Sequence, residues 1–194
     1  MKLGNIATVR SGLVLSRKRG KQSSGIGYPL LTLRALQPSG FIDVTELDNF
    51  WASEVLAPEY VSQIGDIVVR LTAPYTAVLI DNKTQGIVIS SNFVIIKADK
   101  TKILPEYLYW LLNTQKVKLS IYERATSNML GAVKTRYFSE FKIYPIDLDA
   151  QKKVAEVNRL AKREAFLLRR LAEEKEKYYT AVIDKMQKEV RNHD

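Results

Sequence analysis

Apolar and polar positions divide this chain into a long region of short, mixed patterns and a second region with a single period. At the start, Leu3, Ile6, Ala7 and Val9 form a short amphipathic segment that Ser11-Gly12 stops. Residues 17–27 hold four cations, two serines and three glycines, a composition that cannot bury itself and predicts a surface loop. Pro29 to Leu36 reads as a strand, and Pro38-Ser39-Gly40 as a turn into Phe41-Ile42. Phe50, Trp51, Val55, Leu56 and Tyr60 supply bulk in a less regular stretch. Ile67 to Leu71 is a β-branched run suited to a strand buried on both faces, and Ala77–Ile80 and Ile87–Lys97 predict two more strands.

Pro105 suits the first turn of a helix, where its missing N–H costs nothing, and Tyr107, Leu108, Leu111 and Leu112 form the stripe that helix buries. After Lys118 the pattern turns polar through Arg124, Thr126, Ser127, Asn128 and Gly131, and a short helix is expected around Tyr137 to Phe141. Ile143 to Ile146 reads as a closing strand ended by proline. The alternation lacks a regular βαβ rhythm, so the fold class expected is α+β with a strongly curved, β-rich core over residues 1–147.

From Leu148 to Arg191 there is neither glycine nor proline, which predicts one helix occupying residues 148–194. Val154, Val157, Leu160, Leu167, Leu168, Leu171, Tyr178, Val182 and Met186 recur at three- and four-residue spacing, a stripe suited to a partner helix and interrupted by Glu164 and Lys175. At 1.5 Å per residue such a helix reaches about 65 Å.

Charge adds a location to this outline. The net charge is +9, and residues 1–25 hold six cations and no acid. Residues 113–142 hold six cations against Glu123 and Glu140. Two basic blocks of this kind fit phosphate binding, with displacement of counterions, and a solvated face is the bland alternative. There are no cysteines, which excludes disulfides and thiolate metal sites, and neither a secretory leader nor a membrane-length apolar run is evident. A cytoplasmic protein is expected, without a membrane partner.

No catalytic motif is complete. The single histidine, His193, lies in a terminus expected to fray, and Gly25-Ile26-Gly27 lacks the rest of a dinucleotide loop. Glu140-Phe141-Lys142 has the Glu-x-Lys spacing of metal-dependent nucleases, but no aspartate lies between Asp99 and Asp147 to complete a metal site. Ala73-Pro74-Tyr75 lacks the polar first residue that an amino-methyltransferase motif needs. Neither enzyme activity, cofactor nor metal is expected. The polar groups that remain suit contact with DNA: Arg17, Lys18, Arg19, Lys21 and Gln22 in the first loop; Arg70, Thr72, Tyr75 and Thr76 past a strand; and Arg124, Ser127, Asn128, Lys134 and Arg136.

The order of these features resembles one target-recognition half of a type I restriction-modification specificity subunit. The resemblance is carried by Lys2-Leu3-Gly4-Asn5-Ile6-Ala7 with Ser11-Gly12, Tyr28-Pro29-Leu30-Leu31-Thr32-Leu33-Arg34, Gly65-Asp66-Ile67-Val68-Val69-Arg70, Leu104-Pro105-Glu106-Tyr107-Leu108, and Tyr144-Pro145-Ile146 leading to Gln151-Lys152-Lys153-Val154. It implies a DNA target-recognition domain over residues 1–147, with Arg34 joining the DNA-binding set, and a spacer helix over 148–194. The implied partners are double-stranded DNA, methyltransferase subunits and a restriction subunit. Members of that family commonly carry two such units per chain, so one unit here implies a homodimer with antiparallel helices joined through Val157, Leu160, Leu167, Leu168, Leu171, Tyr178, Val182 and Met186. A coiled-coil scaffold, or a nucleic-acid binder without sequence preference, is the competing expectation.

Overall fold

The computed structural model describes residues 1–126 and 132–191. Among these residues six strands lie in two antiparallel sheets. The larger has the order β1 (Ala7–Ser11), β6 (Phe93–Ala98), β4 (Asp66–Arg70), β5 (Ala77–Leu79), and the smaller pairs β2 (Ile26–Leu30) with β3 (Asp48–Ala52). Central β4 and β6 are apolar without alternation because both their faces are covered: Ile67, Val68, Val69 and Phe93 to Ile96 have no exposed surface. Val68, Val78, Phe93 and Ile95 share one face and pack with Leu31, Ala35, Leu36 and Ile42. Of the helices α1 (Pro105–Leu112), α2 (Gln115–Thr126) and α3 (Thr135–Glu140), α1 packs on β4, β5 and β6, and α3 on β1.

The small sheet is joined to the large one through residues 87–90. Leu13 donates its N–H to the Ile89 carbonyl at 2.7 Å, and Leu31 and the Pro29 carbonyl bond the two sides of Val88 at 3.0 and 2.8 Å. Leu13, Phe50, Ala52, Leu56 and Val88 form the second core under this junction. Gly12 is required there, because a Cβ would fall 2.1 Å from the Ser90 carbonyl oxygen.

Several expected elements differ from those observed. The opening segment divides into a 3-10 turn, Leu3–Asn5, and β1. The strand expected over Pro29–Leu36 lies earlier, at Ile26–Leu30, where it pairs with Asp48–Ala52, a stretch that the pattern left irregular. The run Ile87–Lys97 breaks at Ser90–Asn92, and only Phe93 onward enters the sheet. The polar stretch after Lys118 is helical as far as Thr126, since Val117, Ile121 and Ala125 recur every four residues and are buried. Residues 143–146 form no strand. Instead Ile143 and Met1 exchange two backbone bonds, at 2.8 and 2.9 Å, that tie the chain start to the domain's last segment.

The fold is α+β with a long C-terminal helix, α4 (Leu148–Arg191, 44 residues). Compact units divide at Lys152, within the first turns of α4. Gln151 belongs to the first unit and is fully buried, whereas Val157, Leu160, Leu167, Leu168, Leu171, Tyr178 and Met186 of the second unit are exposed and Val182 is half-buried. Among the described residues no helix is long and apolar enough to cross a membrane.

Candidate nucleic-acid interface

Strand direction decides where the loops go. β1 and β4 both run antiparallel to β6, so their C-terminal ends, Ser11 and Arg70, flank the start of β6 at Phe93, and β5 begins beside them. Loops 12–25, 71–76 and 90–92 therefore leave from one end of the sheet. Backbone hydrogen bonds join them into one layer: Ser91 N–H to the Leu13 carbonyl at 2.8 Å, Leu71 N–H to Asn92 at 3.1 Å, and Val133 N–H to Leu71 at 2.9 Å. Thr72 also bridges Ala132, which brings the segment before α3 to the same end.

The second and third polar clusters thus meet. Arg70 Nε donates to Thr72 Oγ1 at 2.9 Å, a bond that holds the half-buried guanidinium beside the β4–β5 turn. Arg136 pairs with Glu140 at 2.8 Å, and Glu140 is held below the ordinary carboxylate range by that contact first, then by the nearby charges of Lys2 and Arg124. Lys134, Arg124 and Arg136 are exposed. Ser127 and Asn128 lie outside the described residues.

The first cluster starts at this sheet end and continues onto the small sheet. Gly20 N–H bonds the Trp51 carbonyl at 2.8 Å, and Arg19 bridges Ala52. Gly20 sits so close to β3 that a Cβ would lie 2.8 Å from Ala52 backbone atoms. Lys18 is ion-paired with Glu54, which raises its pKa, and Arg19 stacks its guanidinium 5.9 Å from the Phe50 ring centre. Arg17, Lys21 and Gln22 present exposed side chains.

Two expected contacts are placed elsewhere. Arg34 forks between Glu46 at 2.9 Å and Asp48 at 2.5 Å. Asp48 pairs with Leu30, at the other end of β2–β3 from Ala52, so a strand length of roughly 13 Å separates Arg34 from the basic loop. Tyr75 has a positive φ of 53° and only 4% exposure, with its phenol pKa raised by burial, because the tight β4–β5 turn folds it inward. Thr76 is likewise buried. The exposed Ser91 and Asn92 sit among these loops unanticipated. Their signal was the polar Ser-Ser-Asn triplet inside an apolar run.

Among the described residues no cluster of acidic or histidine side chains is placed to hold a metal ion. The arrangement offers cations, hydroxyls and amides on linked loops, groups suited to phosphate and base edges.

The class defined is a two-sheet α+β domain, with cationic loops gathered at one sheet end and a long helix appended. No protein-family model matches the chain, and no curated protein does. Solved structures share its fold. A type I R-M system chain, from work on complex assembly and conformational transition, is 19% identical with a TM-score of 0.64, over 89% of this chain and 44% of its own length. The HsdS subunit from Thermoanaerobacter tengcongensis is 16% identical with a TM-score of 0.65, over 88% and 43%. The type I restriction-modification S subunit from M. genitalium is 16% identical with a TM-score of 0.54, over 84% and 38%. The fold implied by the sequence resemblance is therefore the fold observed, and this chain spans less than half the length of the subunits it matches.

Proposed function

We propose that this chain is a non-catalytic, sequence-specific DNA-binding specificity module of a type I restriction-modification system, acting in the cytoplasm. It directs methyltransferase and restriction subunits to a divided site, and two copies join through antiparallel α4 helices. The observation that carries the reading is the convergence of loops 12–25, 71–76 and 132–134 at one sheet end, with Arg17, Lys21 and Lys134 in them, Arg70 ending β4 and Arg136 in the first turn of α3. Lysines on such a surface supply affinity, and Arg70, Gln22 and Asn128 supply base preference. Residues 1–147 form the reader and 148–194 the spacer. The exposed stripe of α4 alone would equally serve a scaffold, and the basic loops are what favour DNA.

Selection from random duplex DNA, with the methyltransferase subunit present, tests this. Two short half-sites separated by a fixed, unread spacer are expected. An uninterrupted asymmetric site, or no preference over random duplex, overturns the reading.

A further inference from the structure

Helix α4 keeps one heptad register from Val154 to Lys185. Positions 154, 161, 168, 175 and 182 alternate with 157, 164, 171, 178 and 185, so the seam holds valines, leucines, Ala161 and Tyr178, with Glu164, Lys175 and Lys185 as its charged members. The described side chains along it are exposed or half-buried.

We infer that a second copy of this chain covers the seam in one antiparallel register, in which Glu164 of each helix faces Lys175 of the other. This deepens the pairing proposed above and rests on it. Antiparallel seams place the first position of a heptad against the fourth of its partner, and the register follows from the charges. With Glu164 opposite Lys175, Leu168 meets Leu171 at the centre and Val157 meets Val182 further out. Small Ala161 then meets large Tyr178, a match of volumes that keeps the two backbones evenly spaced. Lys185 falls beside Val154 near the ends of the helices, where its amine reaches water.

Other arrangements leave the charges unmatched. Sliding one heptad in one direction buries Glu164 against Leu168 and Lys175 against Val157; sliding the other way sets Glu164 against Val182 and Lys175 against Leu171. A parallel, in-register pair stacks Glu164 on its own copy and Lys175 on its own copy. Each alternative desolvates charge without an opposite partner.

In this register the twofold axis passes between residues 169 and 170, and the two copies of Leu148 stand about 65 Å apart along the helices.

The absence of cysteine makes the register directly measurable. In the full-length protein, Val157→Cys mixed with Val182→Cys is expected to cross-link under mild oxidation. Neither variant alone should do so, because 25 residues separate each from its own copy, about 37 Å. Sedimentation equilibrium supplies the second arm. Glu164→Lys and Lys175→Glu should each weaken the dimer about tenfold, since each spoils two symmetry-related pairs, and the double variant should recover to within about threefold. Self-cross-linking of Val157→Cys, equal dimer constants for all four proteins, or a wild-type chain that remains monomeric overturns the inference. A divided DNA site recovered without these cross-links removes the register and leaves the DNA role. Cross-links as expected with no DNA preference do the reverse.

Discussion

Gln151 Oε1 accepts the Leu104 backbone N–H at 2.8 Å, so the first turns of α4 are fastened to the residue that precedes α1. The same amide donates to the Ile146 carbonyl at 2.7 Å and the Lys102 carbonyl at 3.3 Å, and the side chain is fully buried. One glutamine thus satisfies three backbone groups where the globular unit passes into the helix.

Replacing it with a leucine of similar size takes that partner from all three part-buried groups. Gln151→Leu is expected to destabilise the protein by about 2 kcal/mol. Urea unfolding followed by near-UV circular dichroism measures it. A change within about 0.5 kcal/mol would show that this fastening contributes nothing.

Gly12 lies where β1 leaves the large sheet, and a Cβ there would meet the Ser90 and Ile89 carbonyl oxygens at 2.1 and 2.5 Å. Both obstacles are backbone in the layer that organises the candidate interface. Gly12→Ala should cost about 3 kcal/mol and should also weaken DNA binding by displacing loop 12–25. Thermal unfolding and DNA binding of the same preparation check both halves.

Asp66 is fully buried at the start of β4, and desolvation raises its pKa above the ordinary 3.8, opposed by the Gln63 N–H bond and by Arg10 and Lys97. A carboxyl that holds its proton more tightly when folded stabilises fully below 3.8. That contribution is lost as pH rises through the raised folded value. Wild type should therefore lose stability relative to Asp66→Asn as pH climbs from about 4 towards neutrality. Parallel melting curves across that window would sink the assignment.

For the loops, Arg17→Ala and Lys21→Ala should each weaken binding and lower the dependence of log affinity on log salt, by about 0.9 for each phosphate no longer neutralised. Arg70→Ala should alter which base is preferred, because Thr72 holds its guanidinium in one place among the loops. Arg34→Ala is expected to bind like wild type, since Glu46 and Asp48 hold Arg34 at the far end of the small sheet. Fluorescence anisotropy over a salt series, with methyltransferase present, measures all four. Loss of binding in Arg34→Ala alone would relocate the interface.

Legibility in the sequence followed the range of the interactions responsible. Ile67–Val69 could be read as a strand because burial on both faces leaves a continuous apolar run, and Pro105 marked its helix through its own φ. The helix through Thr126 was obscured by its polar outer face, although Val117, Ile121 and Ala125 carried the period. β2 and β3 were displaced or missed because their hydrogen bonds are with each other across some twenty residues of chain. The candidate site divided in the same way. Arg17, Lys21 and Arg70 could be named from residue type, whereas Ser91 and Asn92 join them only because β6 lies between β1 and β4.

Three things were therefore settled by the chain's own pattern: an α+β domain with apolar central strands, a 44-residue helix without a breaker, and the positions of its basic clusters along the sequence. Side-chain periodicity and charge are local properties, and each can be read where it occurs. Tertiary structure decided which clusters share a surface, turned Tyr75 inward and tied Arg34 to Glu46 and Asp48. Those outcomes depend on strand order and direction, which arise from hydrogen bonds between segments far apart in sequence and leave no periodic trace in either one.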